Sequence, residues 1–252
     1  MTTRAEFMAR IRGEMGKTRG LFTAATAERP AAPAERLALL RRELAERWPA
    51  ALERFQQEFT RVAGVFYRVP TVREVPDVVA AIATASGGRR VVSWHPRMLG
   101  VDWTADLAAR GLETEAMPDD VPPPSGREAM RRRIAAADLG LTGVDLAVAE
   151  TGSLVLLSGA GRPRSTSLLP ATHVAVFDHT ALVETLEQAG VALEAWHERG
   201  RDDGPERGAV INFITGPSRT ADIELTLTRG VHGPKDVHAI FVEGGLGDVP
   251  RV

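Results

Sequence analysis

Four short segments in residues 150–235 hold the side chains that could do chemistry. The first is Ala147-Val148-Ala149-Glu150-Thr151-Gly152-Ser153-Leu154-Val155-Leu156, which reads as a strand, a sharp polar turn and a second strand. A carboxylate on such a turn would face an edge or a cleft, so Glu150 could serve as base, nucleophile or ligand anchor. Gly152 would let the backbone approach a ligand closely, and Thr151 and Ser153 supply hydroxyls that donate or accept hydrogen bonds. Thr-Gly-Ser is also ordinary hairpin chemistry, so a solvated glutamate on a plain turn stays open.

The second segment, Gly159-Ala160-Gly161-Arg162-Pro163-Arg164-Ser165-Thr166-Ser167, combines two glycines, two arginines and three hydroxyls. Carboxylate or phosphate recognition calls for such groups, with Thr166 as a binding residue. The segment lacks the third glycine of a dinucleotide fingerprint and the Gly-Lys-Ser/Thr ending of a phosphate loop, and a mobile hairpin loop is the alternative. The third segment runs Ile211-Asn212-Phe213-Ile214-Thr215-Gly216-Pro217-Ser218-Arg219-Thr220-Ala221-Asp222-Ile223-Glu224. It predicts a strand passing through a Gly216-Pro217 turn into a helix start, where unpaired N–H groups capped by Ser218 or Thr220 beside Arg219 would form an anion site. Asp222 and Glu224 could instead satisfy that end internally, so capping alone is the competing reading. The fourth, Gly230-Val231-His232-Gly233-Pro234-Lys235, sets His232 as acid, base or anion donor next to the Lys235 ammonium.

Other chemistries fall away. No two histidines stand at the spacing of a zinc helix motif, so no metal site is expected, and no Gly-x-Ser-x-Gly elbow marks a serine hydrolase. The chain contains no cysteine, which removes disulfides, thiolate nucleophiles and Cys-ligated zinc or iron–sulfur clusters; any such cofactor must sit on another chain. A net charge of -2 gives no general field for phosphate backbones or anionic lipid, so nucleic acid is not an expected partner. With no signal-like or membrane-length apolar run, a cytoplasmic, unanchored protein is expected.

The elements that must position these segments follow from periodicity. Thr3 is placed to cap a short amphipathic helix carrying Phe7, Met8, Ile11 and Met15, followed by an Ala-, Thr- and Pro-rich linker over residues 20–34. Leu37, Leu40, Leu44, Trp48, Leu52, Phe55 and Phe59 share one helical face, which Pro49 is expected to divide into two helices. This stripe either covers its own core or docks a partner. From Gly64, apolar runs at 65–69 and 91–94 alternate with helical ones at 75–85 and 102–110, as βαβ units on a parallel sheet require. A proline-rich connection at 118–126 leads to a helix whose Arg131, Arg132 and Arg133 fan out as a solvated face. Beyond it, strands are expected at 144–150, 153–158, 173–178, 210–215 and 237–242, with a helix at 181–189. The reading is therefore α/β, a mostly parallel sheet with flanking helices, divided into an N-terminal helical extension (1–60) and an α/β domain (61–252).

Leu141-Thr142-Gly143-Val144-Asp145, Ala149-Glu150-Thr151-Gly152-Ser153, the segment 215–224 and Gly230-Val231-His232-Gly233-Pro234 together resemble the LUD-domain family. The resemblance covers about residues 60–245 in general pattern. It implies a fold similar to the sugar-phosphate isomerase and CoA-transferase group, and participation in bacterial L-lactate oxidation to pyruvate. It also implies cysteine-rich iron–sulfur partner subunits that do the redox work, leaving this chain an accessory or substrate-binding role toward a small carboxylate or phosphate. A free-standing CoA-transferase or isomerase-like enzyme, with Glu150 as nucleophile or base and Arg219, Lys235 and His232 holding an anionic substrate, is the alternative. The oligomeric state stays open, a homodimer included.

Overall fold

The computed structural model describes residues 3–17, 32–120, 123–199, 207–220 and 228–247. Its elements, in chain order, are α1 (Arg4–Lys17), α2 (Pro33–Arg61), β1 (Val65–Val69), α3 (Val75–Ser86), β2 (Arg90–Ser93), α4 (Pro96–Leu99), α5 (Thr104–Ala109), β3 (Glu113–Ala116), α6 (Pro124–Ala135) and β4 (Leu139–Gly143). There follow β5 (Leu146–Val148), β6 (Ser153–Gly159), α7 (Ser165–Leu168), β7 (Thr172–Phe177), β8 (Leu182–Val183), α8 (Leu186–Arg199), β9 (Arg207–Ile214), β10 (Arg219–Thr220), β11 (Thr228–Arg229) and β12 (Asp236–Val242). Contacts divide the chain into two units, residues 1–31 and 32–252.

The first unit holds α1. Thr3 Oγ1 accepts from Glu6 N at 3.3 Å while Glu6 Oε2 accepts from Thr3 N at 2.8 Å, the reciprocal cap that starts a helix. Phe7, Met8 and Ile11 on this helix are exposed.

The second unit is built on a six-stranded, all-parallel sheet in the order β1-β12-β7-β4-β2-β3. The β-branched and aromatic residues of β2, β7 and β12 suit burial on both faces, which parallel sheets need because crossovers cover them. Val75, Val79, Ile82 and Ala83 of α3 and Leu107 of α5 join the core. A second, mixed sheet runs β8-β5-β6-β9, parallel only between β5 and β8. The chain passes between the sheets at Val144 and Asp145, so the strand expected over 144–150 shortens to β5 at Leu146–Val148, and β4 ends just before it at Gly143. The helix expected at 181–189 begins later, at Leu186, because Leu182 and Val183 pair with Ala147 and Val148.

Helix α2 runs unbroken through Pro49 instead of dividing there. Its first half sends Leu37 and Leu44 into the cluster of the small sheet and α8, and its second half sends Ala51, Leu52, Phe55 and Phe59 into the cluster of the parallel sheet. Each fully buried large side chain contributes roughly 1.5–3 kcal/mol, so this set outweighs the ~3 kcal/mol that an interior proline costs. Phe55 stacks on Phe59 at 5.4 Å between centroids and meets Phe177 edge-on at 5.2 Å. The stripe therefore covers its own core.

Candidate functional site

The Glu150 turn sits between β5 and β6, and its groups are engaged by neighbouring backbone. Glu150 Oε2 accepts from Leu186 N, 2.9 Å away, at the first turn of α8, where a carboxylate meets the unpaired N–H groups and positive end of the helix. Thr185 Oγ1 adds a cap, accepting from Gln188 N at 3.2 Å. The bond engages one of the two Glu150 carboxylate oxygens. Glu150→Gln keeps an acceptor but removes the charge, and is expected to lower stability by about 0.3–1 kcal/mol, read by urea unfolding.

Gly152 has φ of 61°, and a β-carbon on it would lie 2.3 Å from Phe59 N and 2.6 Å from Glu58 C. Gly216, at φ 81°, would set a β-carbon 2.4 Å from Val62 O. That same carbonyl oxygen accepts from Arg219 Nη2 at 3.0 Å, a cation on the negative end of α2. Ser153 Oγ lies 2.8 Å from Thr151 Oγ1 and 2.6 Å from Thr215 Oγ1. The first and third segments thus converge, and they converge on the C-terminal end of α2.

Among the described residues of this segment, Ser218, Arg219 and Thr220 do not start the helix expected after Pro217. Arg219 and Thr220 pair antiparallel with Arg229 and Thr228, since the extended backbone here finds a strand partner where a helix would leave its first N–H groups bare. Asp222 and Glu224 lie outside the described residues. Ser218 instead anchors the fourth segment. Its N–H donates to Pro234 O at 2.9 Å, its carbonyl accepts from Gly230 N at 3.0 Å and its Oγ accepts from His232 N at 3.3 Å. Lys235 N donates to Ala171 O, so His232 and Lys235, both exposed, lie by the N-terminal ends of β7 and β12. Open α/β sheets bind ligands at the opposite, C-terminal ends. No hydrogen bond links Glu150 with His232 among the described residues.

Thr166 lies on α7, fully buried, where its carbonyl oxygen would be 1.8 Å from a β-carbon on Gly140. Gly140 is registered with His173 on the adjacent β7, so α7 packs over both strands. His173 is also fully buried and its Nε2 lies 2.8 Å from Thr142 Oγ1. Thr166 Oγ1 and His173 Nδ1 are buried without a hydrogen-bond partner. Burial pushes the His173 imidazole down to about 3, with His238 adding to the effect, so the ring is neutral. Burial also lowers His238, opposed by Asp236.

A base depressed in the fold binds its proton more readily when unfolded, so His173 contributes stability that is complete above about 6.5 and is lost as pH falls toward 3. His173→Gln is expected to flatten that acid limb in urea unfolding followed against pH, leaving the parts that belong to His238 and to the hydrogen-bonded Asp77, Asp102 and Asp138, which are held below the usual carboxylate range.

The second segment meets several groups outside the four segments at the C-terminal ends of β2 and β4. His95, two residues past β2 and just ahead of α4, has ψ of 141°, the extended form a following proline imposes, and Pro96 opens α4. His95 N donates to Gly161 O at 2.8 Å, which ties the second segment to this end of the sheet. Gly161 itself, at φ 69°, would hold a β-carbon 3.1 Å from both His95 Cβ and Met98 Cγ. His95 Nδ1 accepts from Arg97 N at 3.3 Å and stands 3.5 Å from Asp119 Oδ1, while Arg97 Nη1 pairs with Asp119 Oδ2 at 2.6 Å. On the β4 side, Arg162 Nη1 donates to Asp145 Oδ1 at 2.9 Å, and Asp145 Oδ2 accepts from Leu157 N at 2.7 Å. The arginines of the second segment were legible as anion-binding types and Asp145 as the end of the motif at residues 141–145; Arg97 and Asp119 had no local signal, because their pairing is made by the fold. Among the described residues no group of three or more His, Asp or Glu is arranged to hold a metal ion, and no helix is long and apolar enough to cross a membrane.

Comparisons with known proteins agree with this architecture. The sequence pattern of the LUD domain matches residues 52–242. A Lactate utilization protein C from Halalkalibacterium halodurans is 44% identical over 107 residues, which is 42% of this chain and 45% of that protein. One from Geobacillus sp. is 41% identical over 106 residues, 42% of each chain, so this chain spans less than half the length of these two relatives. The match to a Lactate utilization protein C of Macrococcus caseolyticus is longer, 31% identical over 69% of this chain and 70% of that one. A crystal structure of a DUF162 family protein from Deinococcus radiodurans shares the fold with a TM-score of 0.50 and 22% identity, over 77% of this chain and 98% of that chain. With the motifs beyond Leu141, the parallel sheet and a family match across most of the sequence, the chain belongs to the LUD-domain family.

Proposed function

We propose that this chain is a non-redox component of an iron–sulfur system that oxidises L-lactate to pyruvate, binding a small carboxylate or its cysteine-rich partner subunits. The observation that carries the proposal is the extended similarity to a Lactate utilization protein C. Oxidising a 2-hydroxy acid to a 2-oxo acid releases two electrons and two protons, and a redox centre has to take the electrons. A chain without cysteine offers no thiolates for an iron–sulfur cluster, so on this reading the clusters sit on the partners.

The test is genetic. Deleting the gene from its native organism is expected to abolish growth on L-lactate as sole carbon source and to leave growth on pyruvate intact, with recovery on re-expression. Unimpaired growth on lactate would refute the proposal. Re-expression of Glu150→Gln is expected to restore growth as well, because that carboxylate serves α8.

A further inference from the structure

β2 and β4 are neighbours in the parallel sheet, yet the chain leaves them in opposite directions, through α4 and α5 to β3 on one side and through the small sheet and α7 to β7 on the other. Such a divergence at the C-terminal strand ends is where open α/β sheets form their ligand crevice. Arg162 is held there as a built group. Its side chain is 14% exposed and paired to Asp145, which is 3% exposed and itself fixed by Leu157 N. A guanidinium has five N–H donors and no acceptor, and the hydrogen bond to Asp145 uses Nη1 alone. On the adjoining strand Trp94 directly precedes His95, whose N–H meets the carbonyl of Gly161 next to Arg162; the Trp94 ring carbons lie 3.6 Å from where a β-carbon on Gly143 would stand, and the residue is 2% exposed. Its indole Nε1, also donor-only, is buried with no hydrogen-bond partner. An unpaired buried donor is costly, and two donor-only groups at one strand end are complemented by a group that only accepts.

We infer that this crevice binds a small monocarboxylate, its two oxygens taken by the Arg162 guanidinium with the Trp94 indole N–H as a further donor. Asp119 and Asp145 offset Arg97 and Arg162, so the site is near neutral and favours a monoanion over the dianionic form of phosphate. The inference deepens the proposed lactate function, on which the choice of L-lactate as first probe rests; the site itself rests on Arg162 and Trp94.

The experiment is titration of the full chain at constant ionic strength with L-lactate, acetate, inorganic phosphate and chloride, followed by tryptophan fluorescence and calorimetry. A saturable response to L-lactate, none to phosphate or chloride, is expected. Arg162→Lys keeps the charge against Asp145 but loses the planar two-pronged grip, and should weaken binding about tenfold. Trp94→Phe keeps the ring and removes the donor, and should weaken calorimetric binding while erasing the fluorescence change; it carries the test alone if Arg162→Lys fails to fold. Saturation by acetate without L-lactate would support the site and count against the lactate function. No saturation by either carboxylate, tighter binding of phosphate, or equal binding in both variants would overturn the site and leave the growth test standing.

Discussion

Gly152→Ala is expected to destabilise the protein by about 3 kcal/mol, the sum of a left-handed backbone forced on alanine and an overpacked contact. The β-carbon would meet the Phe59 amide nitrogen at 2.3 Å, and that atom belongs to the backbone of α2, which cannot swing aside as a side-chain tip can. Phe59 and Phe55 are held by the aromatic cluster of the parallel sheet, so moving α2 away would uncover them. Chemical denaturation reads the loss directly. A ligand-contacting glycine would give another pattern, near-native stability with impaired binding, and that result would contradict a purely structural role for the Glu150 turn.

Arg162→Leu is expected to cost about 3–5 kcal/mol, because it removes the cation from a carboxylate that is almost wholly buried. Asp145 would keep its hydrogen bond from Leu157 N, which is too little to offset a charge taken out of water. Adding Asp145→Asn to the same chain should recover much of the loss, since the double variant buries a neutral amide. A double-mutant cycle by denaturation measures this coupling. Additive losses would mean that Arg162 and Asp145 do not act as a pair.

Much of the fold was legible because hydrophobic period is a local signal. β1 at Val65–Val69 and α3 from Val75 fall where alternation predicted them, as does the reciprocal Thr3 and Glu6 cap in part through Thr3. Three of the elements that differ from what local pattern predicts do so for a plain tertiary reason. Pro49 did not break α2 because both halves of its stripe find a core. Arg219 and Thr220 became a strand because Thr228 and Arg229 pair with them. The helix after Leu182 was delayed by the pairing with β5.

The candidate site was legible only as residue types. Glycine, hydroxyl and arginine clusters mark turns that do special work, yet sequence does not tell a turn that touches a ligand from one that touches a helix. Gly152, Gly216 and Arg219 turned out to meet the end of α2. Arg162 could be seen, whereas its partner Asp145 stands 17 residues away on the far side of a hairpin. Trp94 and His95 carried no signal at all until the strand order put the end of β2 beside the end of β4.

The measurement that bears most directly on the proposed role is isolation of the tagged chain from its native cells, with identification of whatever accompanies it and assay of lactate-dependent dye reduction. Recovery of cysteine-rich iron–sulfur proteins together with that activity, and no activity from the purified chain alone, is the predicted result. A chain that comes out alone from lactate-grown cells, or one that reduces the dye with lactate by itself, would contradict it.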